Sequence, residues 1–173
     1  MIDSTFAAAA VGWAMLTMTP APGVDTEFDS ANPPVRVGAT LGEVLSNWGE
    51  RASFGADCGS WRGPSVDRDF RWRGARLRVM ALLKGERVAA VRYEQAAEGS
   101  RGFAECDAQL TVFQSYWSQS GIVAGADSEV VYDGPVKRRV RGAGRQATAV
   151  GRFEADYRAS RTECRLALIL TEP

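Results

Sequence analysis

The sequence predicts an α+β fold, an antiparallel sheet with short helices packed on one face, in an order that allows two tandem helix-then-strands modules. Three observations predict it. Apolar residues recur at helical spacing in two short windows, around 41–48 and 110–117, each followed by a glycine. After each window the apolar period changes to two, as half-buried strands require. The chain has 173 residues, 45% apolar and 24% charged, which suits one compact domain or two small modules sharing a core.

The first element in chain order is an uncharged run, Phe6 to Leu16. It is too short to span a bilayer, which takes roughly 20 apolar residues, and it matches the apolar region of a secretory signal peptide. Small residues at Ala21 and Gly23 place the expected cleavage before Val24, so residues 1–23 are read as a signal peptide and the protein as exported, periplasmic or extracellular. Asp3 is the one charge ahead of the run, where a signal peptide carries Lys or Arg. Residues 24–36, with Pro33 and Pro34, read as a linker.

The first module is expected over residues 37–98. Thr40-Leu41-Gly42-Glu43 is a capping box, in which the Thr40 hydroxyl accepts from the Glu43 amide and Glu43 reaches back. Leu41, Val44, Leu45 and Trp48 follow as one apolar stripe, and Gly49 closes the helix. A polar loop rich in Gly and Ser is expected as far as residue 67. Phe70 and Trp72 then alternate with Arg71 and Arg73, and Leu77, Val79, Ala81 and Leu83 alternate with Arg76 and Arg78. After a turn at Lys84-Gly85-Glu86, Ala89, Val91 and Tyr93 return on odd positions, which predicts a hairpin over 70–94 with one arginine-bearing, wet face.

The second module is expected over residues 99–173. Asp107 is placed to cap a helix carrying Leu110, Phe113 and Trp117 and closed by Gly121. An irregular stretch is expected through Asp133-Gly134-Pro135, then strands around 136–141 and 146–159. A turn near Ser160–Thr162 leads to a last strand with Cys164, Leu166, Leu168 and Leu170 facing inward. In an oxidising compartment the three cysteines, Cys58, Cys106 and Cys164, give one disulfide and one thiol. Spacing alone allows all three pairings. Cys106 with Cys164 is favoured because both belong to the second module.

The stretch Val37-Gly-Ala-Thr-Leu-Gly-Glu-Val-Leu-Ser-Asn-Trp-Gly49, followed by the hairpin, resembles the module shared by the outer-membrane assembly lipoprotein BamE and the β-lactamase inhibitory proteins. Gly38, Thr40, Val44 and Gly49 carry the resemblance, which covers residues 37–94. It implies an exported helix-on-sheet fold, and it admits an inhibitor or immunity-type protein directed at a secreted enzyme.

Composition bounds the chemistry. The 21 basic and 21 acidic residues balance to a net charge of zero, which offers no global field for nucleic acid. There is no histidine, so the usual general base, triad base and metal ligand are missing. Neither a phosphate loop nor a dinucleotide fingerprint nor a nucleophile elbow occurs, and no cofactor is expected. The reading is a binding or envelope-associated protein whose partner is another protein or an envelope component. The alternative enzyme is a small hydrolase using carboxylates such as Asp57, Asp67 and Asp69, or Cys58. Two features are candidate interaction surfaces. Trp61 beside Arg62 lies in a loop with no periodic partner, as an exposed binding hot spot does. Arg138, Arg139 and Arg141 belong to a basic run over 136–165 that suits carboxylate or phosphate, or else forms the solvated face of strands.

Overall fold

The computed structural model describes residues 26–56, 61–122, 124–133, 136–146 and 149–172; for Ala56, 124–133 and 136–146 the description is of the backbone. The expected signal peptide, Asp57 and Cys58 lie outside the described residues.

The capping box forms as the sequence requires. Thr40 Oγ1 accepts from the Glu43 amide at 3.2 Å, and the Thr40 amide donates to Glu43 Oε2 at 2.6 Å. Helix α1, Leu41–Trp48, follows and ends at Gly49, whose φ of 60° suits glycine. Its stripe buries Val44 and Trp48. Four strands then run as a meander: β1 (Ser53–Ala56), β2 (Pro64–Trp72), β3 (Ala75–Lys84) and β4 (Arg87–Glu98). The predicted hairpin is thus three strands. The polar loop expected to run to residue 67 instead contains β1 and the start of β2, because alternate residues Val66, Phe70 and Trp72 share one buried face with polar neighbours between them. β2 and β3 are joined through Arg73 and Gly74, both at positive φ, as a two-residue hairpin turn needs. Arg73 holds this conformation with its guanidinium stacked over the Tyr116 ring at 4.3 Å.

Helix α2, Phe103–Ser118, begins at the N-cap Gly102, so Asp107 lies inside the helix and does not cap it. Leu110, Phe113 and Trp117 are buried, as their spacing predicts. A second meander follows: β5 (Ala124–Asp133), β6 (Val136–Gln146), β7 (Ala149–Arg158) and β8 (Glu163–Thr171). The stretch expected to be irregular up to Asp133 is strand β5. All eight strands form one antiparallel sheet in the order β1-β2-β3-β4-β8-β7-β6-β5, so the two meanders join along β4 and β8.

Both helices lie on the same face of this sheet. Phe70, Trp72, Leu77, Val79, Tyr93, Phe153, Leu166 and Leu168 pack there with Trp48, Phe113 and Trp117 in one continuous core. The expected linker also contributes. Phe28 is buried with edge-on contacts to Phe70, Trp72, Tyr93 and Trp117, and its segment pairs with β2 through a bond from the Phe28 amide to the Arg71 carbonyl. Residues 26–35 are therefore a strap across the core, because Phe28 and Val35 supply apolar surface that prolines and acidic neighbours concealed in the sequence. Cys106 on α2 and Cys164 on β8 form a buried disulfide that ties this helix to the sheet.

The phase of β4 differs from the expected one. Leu83 pairs with Val88 and Leu82 with Ala90, leaving Ala89 as the extra residue of a bulge. Val88 and Val91 consequently face the core together, and Ala89 does not share their side.

A candidate interaction face opposite the helices

The face opposite the helices can be read as rows of cross-strand neighbours. One row runs Ser65, Leu82, Ala90, Thr171, Val150 across β2, β3, β4, β8 and β7. The next runs Asp67, Met80, Arg92, Ile169, Arg152, and the third Asp69, Arg78, Glu94, Ala167, Glu154. The expected wet face is therefore half apolar. Met80, Leu82, Ala90 and Ile169 form a second, smaller cluster, with Trp61 packed against it. The signal lay in Val79-Met80-Ala81-Leu82-Leu83 and Leu166-Ala167-Leu168-Ile169-Leu170, unbroken apolar runs of the kind strands buried on both faces carry.

Beside the cluster lies a network of ion pairs. Arg92 is 6% exposed and donates to Glu94 Oε2 through Nε at 3.0 Å and to Glu154 Oε2 through Nη1 at 3.0 Å. Burial opposes the charge on Arg92, but Glu94 and Glu154 outweigh it and hold its pKa above the ordinary arginine value. Arg152 joins Glu154 from the rim at 3.0 Å, and Arg165 pairs with Glu163 and lies 3.9 Å from Glu94. Burial likewise opposes the charge on Arg165, and its two carboxylate neighbours reverse that direction. The contact from Arg92 on β4 to Glu154 on β7 spans the whole of β8, and the residue between the two carboxylates in that row is the small, wholly buried Ala167. Further along the same face, on β2 and β3, Asp67 pairs with Arg78 at 2.8 Å and Asp69 pairs with Arg76. Two of the three carboxylates proposed for the alternative hydrolase, Asp67 and Asp69, are thus engaged in diagonal cross-strand ion pairs.

Trp61 closes the end of this face. It stands in the segment before β2 and lines a pocket of about 260 Å³ with Leu82, Ala90, Arg92, Arg152, Ile169 and others. Its indole Nε1 is buried and has no hydrogen-bond partner among the described residues. Gly63 supports the indole: its φ is 144°, and a Cβ there would come within 3.3 Å of Nε1. Trp61 is therefore half-buried, a wall of the pocket where an exposed hot spot was expected, while Arg62 is exposed.

Arg138, Arg139 and Arg141 of the basic run lie on β6, where the backbone register alone is described. Arg138 pairs with Asp156, Arg139 with Ala155 and Arg141 with Phe153 on β7. The structure brings Trp61 together with Arg92 and Arg152, which sequence reasoning did not single out. Among the described residues there is no group of three or more side chains able to hold a metal ion, and no helix long and apolar enough to cross a membrane. Comparison with known protein families, with curated proteins and with solved structures finds no match.

Proposed function

We propose that this is an exported binding protein whose interaction surface is the open face of the sheet, with a protein or envelope component as partner. The observation that carries the reading is the pairing of an apolar cluster with a pre-organised charge network on a face that neither helix covers. A face with no task would need only solvated polar side chains. Here Arg92 and Glu154 are desolvated and fixed in position, which costs free energy unless every partner is in place and which gives a partner a rigid charge pattern to match. The buried disulfide fits an oxidising compartment. The resemblance of residues 37–94 to the BamE and β-lactamase inhibitory protein module points the same way, and a secreted enzyme is one partner it admits. A binding role without catalysis agrees with the absence of histidine from the whole chain and with the commitment of Asp67 and Asp69 to arginines.

The test is capture from the organism's own envelope fraction by three immobilised forms: the unaltered chain, a form with Arg76→Glu and Arg78→Glu on the open face, and one with Ser115→Glu on the exposed side of α2. The partner retained by the first and third forms and lost from the second is the expected result. Equal retention by all three overturns the assignment of the open face.

A further inference from the structure

We propose that the pocket beneath Trp61 is a seat for a small amphiphilic anion, a carboxylate carried on a short acyl chain or single aromatic ring. The proposal deepens the binding role of the open face and rests on it. An apolar cavity of about 150 Å³ is enough to take up benzene, so the 260 Å³ here holds a body of the proposed size. Leu82, Ala90 and Ile169 form the apolar floor, and the Trp61 indole forms one wall. The polar end has one sign. Arg92 and Arg152 are the charged residues lining the pocket, whereas Glu94 and Glu154, which pair with them, stand outside the lining. Arg92 is held on both sides by these carboxylates, which fix its position and compensate its charge. Arg152 is different: its side chain is 51% exposed, and it contacts Glu154 through one terminal nitrogen. Its remaining donors are available at the mouth for the fork-shaped recognition of a carboxylate that guanidinium favours. Trp61 is suited to adjust to such a guest, since among the described residues its N–H has no partner to break when the ring shifts.

The experiment is titration calorimetry of the full oxidised chain with octanoate, octan-1-ol and acetate. Octanoate is expected to bind saturably, at least fivefold tighter than octan-1-ol, and acetate not measurably. Arg152→Gln should bring octanoate down to the affinity of octan-1-ol and leave octan-1-ol unchanged, which a merely structural role for Arg152 would not do. Trp61→Ala should weaken both. If that variant lowers the unfolding midpoint, Arg152→Gln alone decides, because a half-exposed side chain leaves the core intact. Equal affinity for octanoate and octan-1-ol, an unchanged octanoate affinity in Arg152→Gln, or no saturation up to on the order of 10 mM overturns the proposal. Partner capture by the open face with no octanoate binding would sink the anion seat alone. Octanoate binding with no loss of capture in the Arg76→Glu, Arg78→Glu form would sink the macromolecular reading alone.

Discussion

Across the covered face and the open face of this sheet, residues of the same strands take opposite routes to burial. On the covered face Phe28, Trp72, Tyr93, Phe113 and Trp117 meet ring to edge, and specificity comes from shape. On the open face burial extends to Arg92, Glu154, Asp156 and Asp67, and specificity comes from charge positions. The difference teaches where a substitution is absorbed. An apolar core loses area and leaves a cavity, whereas a desolvated ion network left with one member missing holds an uncompensated charge.

The largest expected effect is on the covered side. The Cys106–Cys164 bridge closes a loop with a sequence separation of 58. Chain-entropy reasoning gives such a loop about 4 kcal/mol of stability. Replacing both cysteines by serine should therefore lower stability by about that amount, read from urea unfolding with midpoint and slope fitted for each form, because the slope rises as the unfolded chain loses its cross-link. A loss below about 1 kcal/mol would mean that the aromatic contacts of α2 with β2, β4 and β7 hold the helix in place without the bridge.

Arg92→Met sharpens the comparison from the open side. It removes one partner of a buried network and should cost about 3 kcal/mol, because Glu94 and Glu154 stay in place with less compensation. Adding Glu154→Gln to Arg92→Met should recover part of the loss, and the coupling between the two changes is the readout. Were the open face an ordinary solvated strand surface, each change would stay within about 0.5 kcal/mol and the two would add.

The sequence was legible where one period dominated. Thr40 to Gly49, the alternation from Phe153 to Tyr157 and the stripe Leu110, Phe113, Trp117 each specify an element and a buried face unaided, and the structure has all three. β1 and β5 were not legible, because strands at the sheet's two edges gain their pairing from a neighbour and need no strong pattern of their own. Ala89 was misread because a bulge shifts the phase by one residue, which composition does not mark. The site was legible in part. Trp61 stood out for lacking a periodic partner, but Arg92 and Arg152 looked like any strand arginine. Only the register of β4, β8 and β7 brings Arg92 to Glu154 across β8.

The smallest expected effect isolates a charge with no burial at all. Glu43 is fully exposed, and its carboxylate lies below the ordinary value of 4.5, chiefly because it accepts from the Thr40 backbone amide and then from the Thr40 hydroxyl. Since the folded-state pKa is the lower one, the contribution of this cap is fully present above the unfolded value. It is lost as pH falls through the folded value. Acidification below pH 4.5 should therefore loosen the first turn of α1, seen as faster exchange of the Thr40 amide, while the amides of β4 and β8 stay protected. Glu43→Gln should abolish that pH dependence and Thr40→Ala should cost about 1 kcal/mol at neutral pH. Loss of protection at the β4 and β8 amides at the same pH would mean that the cap and the sheet open as one unit, because Trp48 of α1 also packs edge-on against Phe70 of β2.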